Sequence, residues 1–426
     1  QLSAAVNEAN GKDTIEVDGG TLLNNETKQI TIAGTEVTIR SSNETPFTID
    51  MLQQDRVFEI TGGASVTMSR LVITGGAAAA GTHGGGVSIT GFSMLTTRHA
   101  TIASNTANNG GAVYVNYGAF TTIDTTIASN TANNGNGGGV YVTNGTFNAD
   151  NATIALNTVK GTFRYGGGVY VTNGSFNAIN TTITSNTAIN SANCGGVYVY
   201  TNGSFNAVNT TITTNTAHNQ RGNCGGVYVR GGTFTATGTT IASNSAGFGS
   251  GVFVDNGTFT AVYATITLNT AIVGGGVYVT NGIFNAIHTT IATNTAIPDD
   301  NGDYGNGAGV FVNDGTFTAT DSTLIASNTA SNNGGGVYLC TSATFNANSI
   351  TIQGNEAVIG SGGGIYWGAG TINTLTAAWS PKADQQDAFS VSVTGAITVP
   401  PDTEHPVQVT GNTAPNNPGT HQMRCE

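Results

Sequence analysis

Charge is what this sequence has least of. Only 8% of its 426 residues are Asp, Glu, Lys or Arg, against roughly a quarter in ordinary globular domains. A chain so poor in charge is not a self-repelling disordered polymer. Lys and Arg total 12 against 24 acidic residues, a net charge of −12. No basic stripe exists, which excludes nucleic acid as a partner, and an anionic membrane surface would repel the chain. Pro is scarce, at 8 residues, and the 61 Gly have no three-residue period, so collagen is excluded. No apolar run approaches the ~20 residues of a membrane-spanning helix. The chain begins at Gln1 rather than Met and shows no signal peptide, so a mature or trimmed product is expected.

What is present is Gly, Thr and Asn in a repeat. A Gly-rich step followed by Val-aromatic-Val recurs, as in Gly137-Gly138-Gly139-Val140-Tyr141-Val142 and Gly166-Gly167-Gly168-Val169-Tyr170-Val171. Its first Val or Ile falls at Val87, Val113, Val140, Val169, Val197, Val227, Val252, Val277, Val310, Val337 and Ile365, at spacings of 25 to 33. A second anchor is an Asn at 105, 130, 157, 186, 215, 244, 269, 294, 328 and 355, always 17 or 18 residues after the Val. The return from Asn to the next Val takes 8 to 16 residues. All length variation therefore sits in one segment, which implies a rigid solenoid with one elastic loop per turn.

The constant segment reads as three short strands, for example Val140–Val142, Thr146–Ala149 and Thr153–Leu156, each too short for a helix. Asn144-Gly145 between the first two suits positive φ. The expected fold class is all-β: a right-handed, single-stranded parallel β-helix with three strands per coil, about eleven regular coils and irregular capping coils. Alternation assigns the faces. The two Val of the first strand point inward and the aromatic outward. Phe120, Phe147, Phe176, Phe205, Phe234, Phe259, Phe284, Phe317 and Phe345 form an inner column, as do the Ile of the third strand. The Asn column reads as a structural ladder of stacked amides.

The ends differ from the middle. Leu2, Ala5, Val6 and Ala9 predict a capping helix within residues 1–16, and residues 1–83 read as a cap with irregular first coils. Residues 84–378 are the regular repeats. Residues 379–426, with Pro381, Pro400, Pro401 and Pro406, read as a C-terminal cap or tail, which protects the edge of a solenoid.

The run Ile154-Ala155-Leu156-Asn157-Thr158 followed by Gly166-Gly167-Gly168-Val169 resembles the repeats of chlamydial polymorphic outer-membrane proteins. It is also similar to repeats of bacterial and algal surface proteins of the right-handed β-helix type. The resemblance covers roughly residues 84–367. It departs in having Ile where that family prefers Phe before the Asn, and these 426 residues include no C-terminal membrane β-barrel of an autotransporter, as a passenger fragment would not. It implies a surface-exposed adhesive or structural role, by analogy of fold alone.

Three surface features compete for a functional reading. The outward aromatics Tyr114, Tyr141, Tyr170, Tyr198, Tyr228, Phe253, Tyr278, Phe311, Tyr338 and Tyr366 would form a long stripe, and exposed apolar stripes mark contact surfaces. The stripe reads as covered by the variable loops, as a subunit interface or as a track for stacking sugars. Ranked Thr on the third strand, such as Thr182/Thr184, resembles an ice-binding face, although several coils place Ala there. Sequons stand at Asn25, Asn43, Asn144, Asn151, Asn173, Asn180, Asn202, Asn209 and Asn256, most of them also accounted for by turn chemistry followed by a strand Ser or Thr.

Cys194 and Cys224 replace the first Gly of the motif in consecutive coils, so stacking predicts a disulfide between them and an oxidising compartment. Cys340 and Cys425 pair if the tail folds back, and otherwise are available to link subunits. Asp299, Asn301 and Asp303 alternate near Gly302 in the longest loop, as calcium ligands do, yet the distal Glu of an EF-hand is missing. No other cofactor is indicated.

Polysaccharide-cleaving solenoids need clustered carboxylates with Arg or Lys on neighbouring coils. Here Asp150, Asp255, Asp314 and Asp321 are read at turns on separated coils, and the six His form no column. The resulting expectation is an extracellular or cell-surface protein without catalytic activity, structural or adhesive. Its partners would be itself, in a filament or surface layer, or other surface proteins and glycans, with no membrane span. A monomeric carbohydrate-binding or ice-binding rod is the alternative, and a polysaccharide lyase or hydrolase comes behind both.

Overall fold

A computed structural model of the chain describes residues 2–9, 11–23, 28–190, 192–218, 222–368, 371–373 and 408–410. It is an all-β, right-handed parallel solenoid of about 12 turns, as the repeat predicts. The chain divides into two compact units, one of residues 1–211 with 215–218, the other of residues 212–214 with 219–426.

In the first unit, Val87–Thr90, Val113–Asn116, Val140–Thr143, Val169–Thr172 and Val197–Tyr200 pair in parallel without a register shift. In the second, Val227–Arg230, Val252–Asp255 and Val277–Thr280 pair likewise, continuing into the long strands Val310–Thr320 and Val337–Ala347. The early coils join the same stacks: Asp13–Val17 pairs with Glu36–Ser41, and that strand with Ser65–Ser69.

The inner columns fall where alternation places them. Val140, Val142, Phe147 and Ile154 are fully buried, and so are their equivalents Val252, Val254, Phe259 and Ile266. The Phe rings stack nearly flat, Phe147 on Phe176 at 4.7 Å and 5°, Phe259 on Phe284 at 4.8 Å and 4°. That spacing is the distance between hydrogen-bonded strands, so one ring per coil fills the core without a void.

The Gly step has a separate reason at each position in the coil that starts at Gly137. Gly137 has φ 67°. A Cβ on Gly138 would lie 2.3 Å from the Gly167 carbonyl oxygen, and one on Gly139 would press on the Asn157 amide at 3.1 Å. Beside the third Gly runs the predicted Asn ladder, buried throughout: Asn105, Asn130, Asn157, Asn186 and Asn215 in the first unit, Asn244, Asn269, Asn294, Asn328 and Asn355 in the second.

Three expectations need correction. The N-terminal helix covers only Leu2–Glu8, with Leu2 and Val6 buried, and the chain is already extended at Asp13. The third strand of the coil stops at Ala155, because Leu156 turns to φ 57° and is 59% exposed. A fourth short strand, Thr158–Lys160, follows the ladder Asn and pairs with its neighbours. Most of the expected C-terminal cap lies outside the described residues.

Candidate active site

The outward aromatic column is not an open stripe. Tyr170, Tyr198, Tyr228, Phe253, Phe311 and Tyr338 are at most 8% exposed, while Tyr114, Tyr141, Tyr278 and Tyr366 are half-buried. Apolar residues of the variable loops lie on the rings. His83 lies tilted against Tyr114 at 4.7 Å, Tyr165 tilted against Tyr198 at 4.4 Å, and Phe248 meets Tyr278 edge-on. Ile272 and Val273 cover Phe311 and Tyr338. Of the readings left open by the sequence, coverage by the chain's own loops is the one observed. Burial raises the phenol pKa, to about 12 at Tyr141 and Tyr278.

Beside this column in the second unit lies a cluster of charged and polar side chains. Arg230 and Asp255 occupy the same register position of adjacent coils, and Arg230 Nε lies 3.3 Å from Asp255 Oδ2. The Tyr228 hydroxyl donates to the same oxygen at 3.1 Å, and Asn256 Nδ2 donates to Oδ1 at 2.6 Å. Asp255 is thus oriented by donors on both oxygens, with its side chain 17% exposed. One coil further stands Tyr278, whose phenol is pushed up first by burial, then by Asp314 and Asp255. Both carboxylates thus act on this phenol through their charge. Asp314 lies two coils beyond Asp255, roughly 10 Å along the stack by the strand spacing. Its Oδ2 accepts a long bond of 3.4 Å from Asn313 Nδ2, and no cation is within ion-pair distance of it among the described residues. Reading turns hid this group. Comparing the residue three past each anchor Val, Arg230 with Asp255, would have exposed it.

Other titratable groups are placed for structure. Arg56, 9% exposed, donates from Nε and Nη2 to the carbonyls of His83 and Gly84, and from Nη1 to Gln29. It clamps a loop, and burial lowers the pKa of both Arg56 and His83. Arg40–Glu16 and His99–Asp124 are isolated surface pairs.

The remaining predicted sites fall as follows. Cys194 and Cys224 are buried thiols, not a disulfide. At this Gly-type position, φ 61° and 64°, the side chain is directed into its own turn, where Cys194 Sγ donates to the Val197 carbonyl at 3.0 Å. Cys340 is disulfide-bonded, and Cys425 lies outside the described residues. The expected calcium loop is closed on itself, with Asp299 Oδ1 accepting the amides of Asn301 and Asp303 at 3.0 and 2.9 Å. No cluster of three or more His, Cys, Asp or Glu fit to hold a metal occurs among the described residues. Sequon residues Asn43, Asn144, Asn151, Asn173, Asn180, Asn202, Asn209 and Asn256 are all exposed, and Asn25 is outside the described residues. No helix among the described residues is long and apolar enough to cross a membrane.

No protein-family model and no curated protein matches the chain, so the expected kinship with chlamydial repeats gains no support. Several solved structures are similar to it. One is the pectate lyase Pel9A, at 13% identity and TM-score 0.34, covering 80% of this chain and 72% of that one. Another is a mannuronic acid specific polysaccharide family 6 lyase from human gut microbiota, at 9% identity and TM-score 0.32, covering 83% and 79%. Both likenesses concern the solenoid alone. The expectation of a non-catalytic structural or adhesive protein is nonetheless corrected. Polysaccharide lyases are among the solved solenoids similar to the chain, at TM-scores that carry no argument for or against catalysis. The ground offered from the sequence, that no carboxylate meets an Arg or Lys on a neighbouring coil, fails at Arg230 and Asp255.

Proposed function

We propose that the chain is a secreted polysaccharide-cleaving enzyme that hydrolyses a neutral glycan at Asp255 and Asp314. The observation that carries the reading is the group in which Arg230 and Tyr228 hold Asp255 on adjacent coils, with a second carboxylate, Asp314, on the same side of the second unit. Hydrolysis with inversion uses carboxyl groups roughly 6.5–9.5 Å apart, with a water molecule between, and Asp255 and Asp314, about 10 Å apart along the stack, come within that range by side-chain rotation about the bound sugar. Asp255, charge-balanced and oriented by donors, takes the proton of the attacking water. Asp314, without a cationic partner, delivers a proton to the departing sugar oxygen. The Tyr278 phenol, neutral far above physiological pH, donates a hydrogen bond to the sugar between them.

A neutral glycan is favoured because 24 acidic residues against 12 basic ones repel a polyuronate. Action outside the cell fits the Cys340 disulfide. The test is release of reducing ends from neutral polysaccharides, alongside the ultraviolet absorbance that an unsaturated uronate end would give on pectate and alginate. Asp255→Asn and Asp314→Asn should each lower hydrolysis about a hundredfold or more with the fold intact. Unchanged rates in either variant, or no cleavage of any neutral polysaccharide, would reject the assignment.

A further inference from the structure

In the first unit, the corner between the first two strands of five consecutive coils is held by Phe92, Tyr117, Asn144, Asn173 and Asn202. All five have left-handed backbones, with φ of 62°, 50°, 50°, 48° and 53°. They stand in line: the Phe92 amide donates to the Tyr117 carbonyl, the Tyr117 amide to Thr143, and the Asn144 amide to Thr172. Asn tolerates this conformation through its short polar side chain, whereas other side chains lose about 1–2 kcal/mol there. The chain nevertheless places an aromatic at two successive corners. Neither ring is used in packing, since Phe92 is 79% and Tyr117 51% exposed. The rings lie 6.0 Å apart, with Met94, also 51% exposed, next to them. Strained residues kept against local preference point to function.

Past the rings, the same corner on the next three coils carries a shallow, open depression of about 400 Å³. Its lining contains no charged residue: it is Asn144, Asn173 and Asn202 with Gly, Thr146, Ser175 and Ser204. Asn202 Nδ2 reaches Asn173 Oδ1 only at 3.5 Å, and Ser175 Oγ donates to Thr146 Oγ1 at 3.2 Å. Amides and hydroxyls recur once per coil, so the depression offers donors and acceptors at a regular step close to the length of a sugar. An apolar platform that leads into uncharged amides suits a ligand with apolar faces and hydroxyl edges.

We infer that this corner is a binding track for a neutral glycan, with Phe92 and Tyr117 stacking on sugar rings and Asn144, Asn173 and Asn202 bonding hydroxyls further along. The track is built entirely in the first unit and does not depend on the cleavage site assigned to the second.

The test is affinity electrophoresis of the full chain, made without N-glycans, through gels carrying xylan, mannan or mixed-linkage glucan. Asp255→Asn serves as background so that the gel polymer is not cut. The decisive variant is Phe92→Asn with Tyr117→Asn. It installs the residue that later coils already use and creates no sequon, so the melting temperature should hold or rise. Retardation by at least one polymer is expected, weakened about tenfold or more in the double variant. Asn173→Gly, which also keeps the turn, should weaken it as well. Retardation unchanged in the double variant, or absent with every polymer, would overturn the track. A wild-type dimer that the double variant disperses would assign the rings to a second copy of the chain and overturn it too.

Discussion

Asn157 Nδ2 lies 2.9 Å from Asn186 Oδ1 and equally 2.9 Å from the Ile127 carbonyl, so its two amide protons bridge three coils. The Asn186 oxygen also accepts the Asn157 backbone amide at 3.0 Å. Asn157 Oδ1 repeats the pattern one coil back, taking the amide and side chain of Asn130 at 3.1 and 2.9 Å. Every donor and acceptor of the buried side chain is used. Asn157→Ala strands groups on both neighbouring coils, and each buried unpaired group costs about 1–3 kcal/mol. A loss of roughly 3 kcal/mol or more is expected in chemical denaturation. Asn157→Asp should be worse at neutral pH, because a carboxylate oxygen then faces the Asn186 and Ile127 oxygens. Acidification should restore part of the loss by protonating it.

Phe176 is sandwiched between Phe147 and Phe205 at 4.7 Å on both sides and is fully buried. Phe176→Ala opens a cavity that two rigid strands cannot close, and a cost of about 3–5 kcal/mol is expected. Phe176→Leu should cost less than half of that. Calorimetric melting of the two variants checks the order, and equal melting would show that the stack is not tightly packed.

The repeat made the core legible because one physical demand recurs in every coil: Val140 and Val142, Phe147, Ile154 and Asn157 each face the same neighbour in the next turn. Features that occur once were harder to read. His83, Tyr165, Phe248 and Val273 cover the aromatic column from loops whose lengths vary, so no period announces them. Arg230 and Asp255 were each visible as exceptions to the Thr at that position in other coils, such as Thr143 and Thr172. Only the pairing register makes them neighbours. The Cys194–Cys224 pairing failed for a further reason: sequence position gives the coil spacing but not the direction of a side chain on a left-handed backbone.

That direction is open to chemistry. Cys194 and Cys224 should alkylate in the unfolded, unreduced protein, whereas Cys340 should not. In the folded protein both thiols are fully buried and should resist the same reagent. Mapping the modified peptides by mass spectrometry decides, and an unreactive Cys194 after unfolding would restore the disulfide.

Close approach of backbones makes Gly167 intolerant of the smallest side chain. A Cβ there would lie 2.4 Å from the Gly195 carbonyl oxygen and 2.7 Å from that of Thr187. Because backbone flanks the site on two coils, Gly167→Ala should push the coils apart and lower stability by more than the ~1 kcal/mol expected of Gly-to-Ala propensity effects, in the opposite direction. Gly11→Ala, where a Cβ meets nothing within 4 Å, isolates the cost of positive φ alone and should be milder. Thermal melts of both variants separate crowding from backbone strain.

The covered aromatic column sets an upper pH limit on stability. Burial, followed by neighbouring Tyr114, holds the Tyr141 phenol at about 12, and burial followed by Asp314 and Asp255 does the same for Tyr278. In the unfolded chain a phenol titrates near 10, so the folded state keeps these protons more tightly. Their contribution to stability is therefore complete below about pH 10 and is lost as pH rises towards 12. Alkaline titration followed by phenolate absorbance should show Tyr141 and Tyr278 ionising only together with unfolding. Shortening the cover by Phe248→Ala should bring the Tyr278 ionisation down and advance alkaline unfolding. If all tyrosines ionise together near pH 10 in the folded protein, the loops do not seal the column.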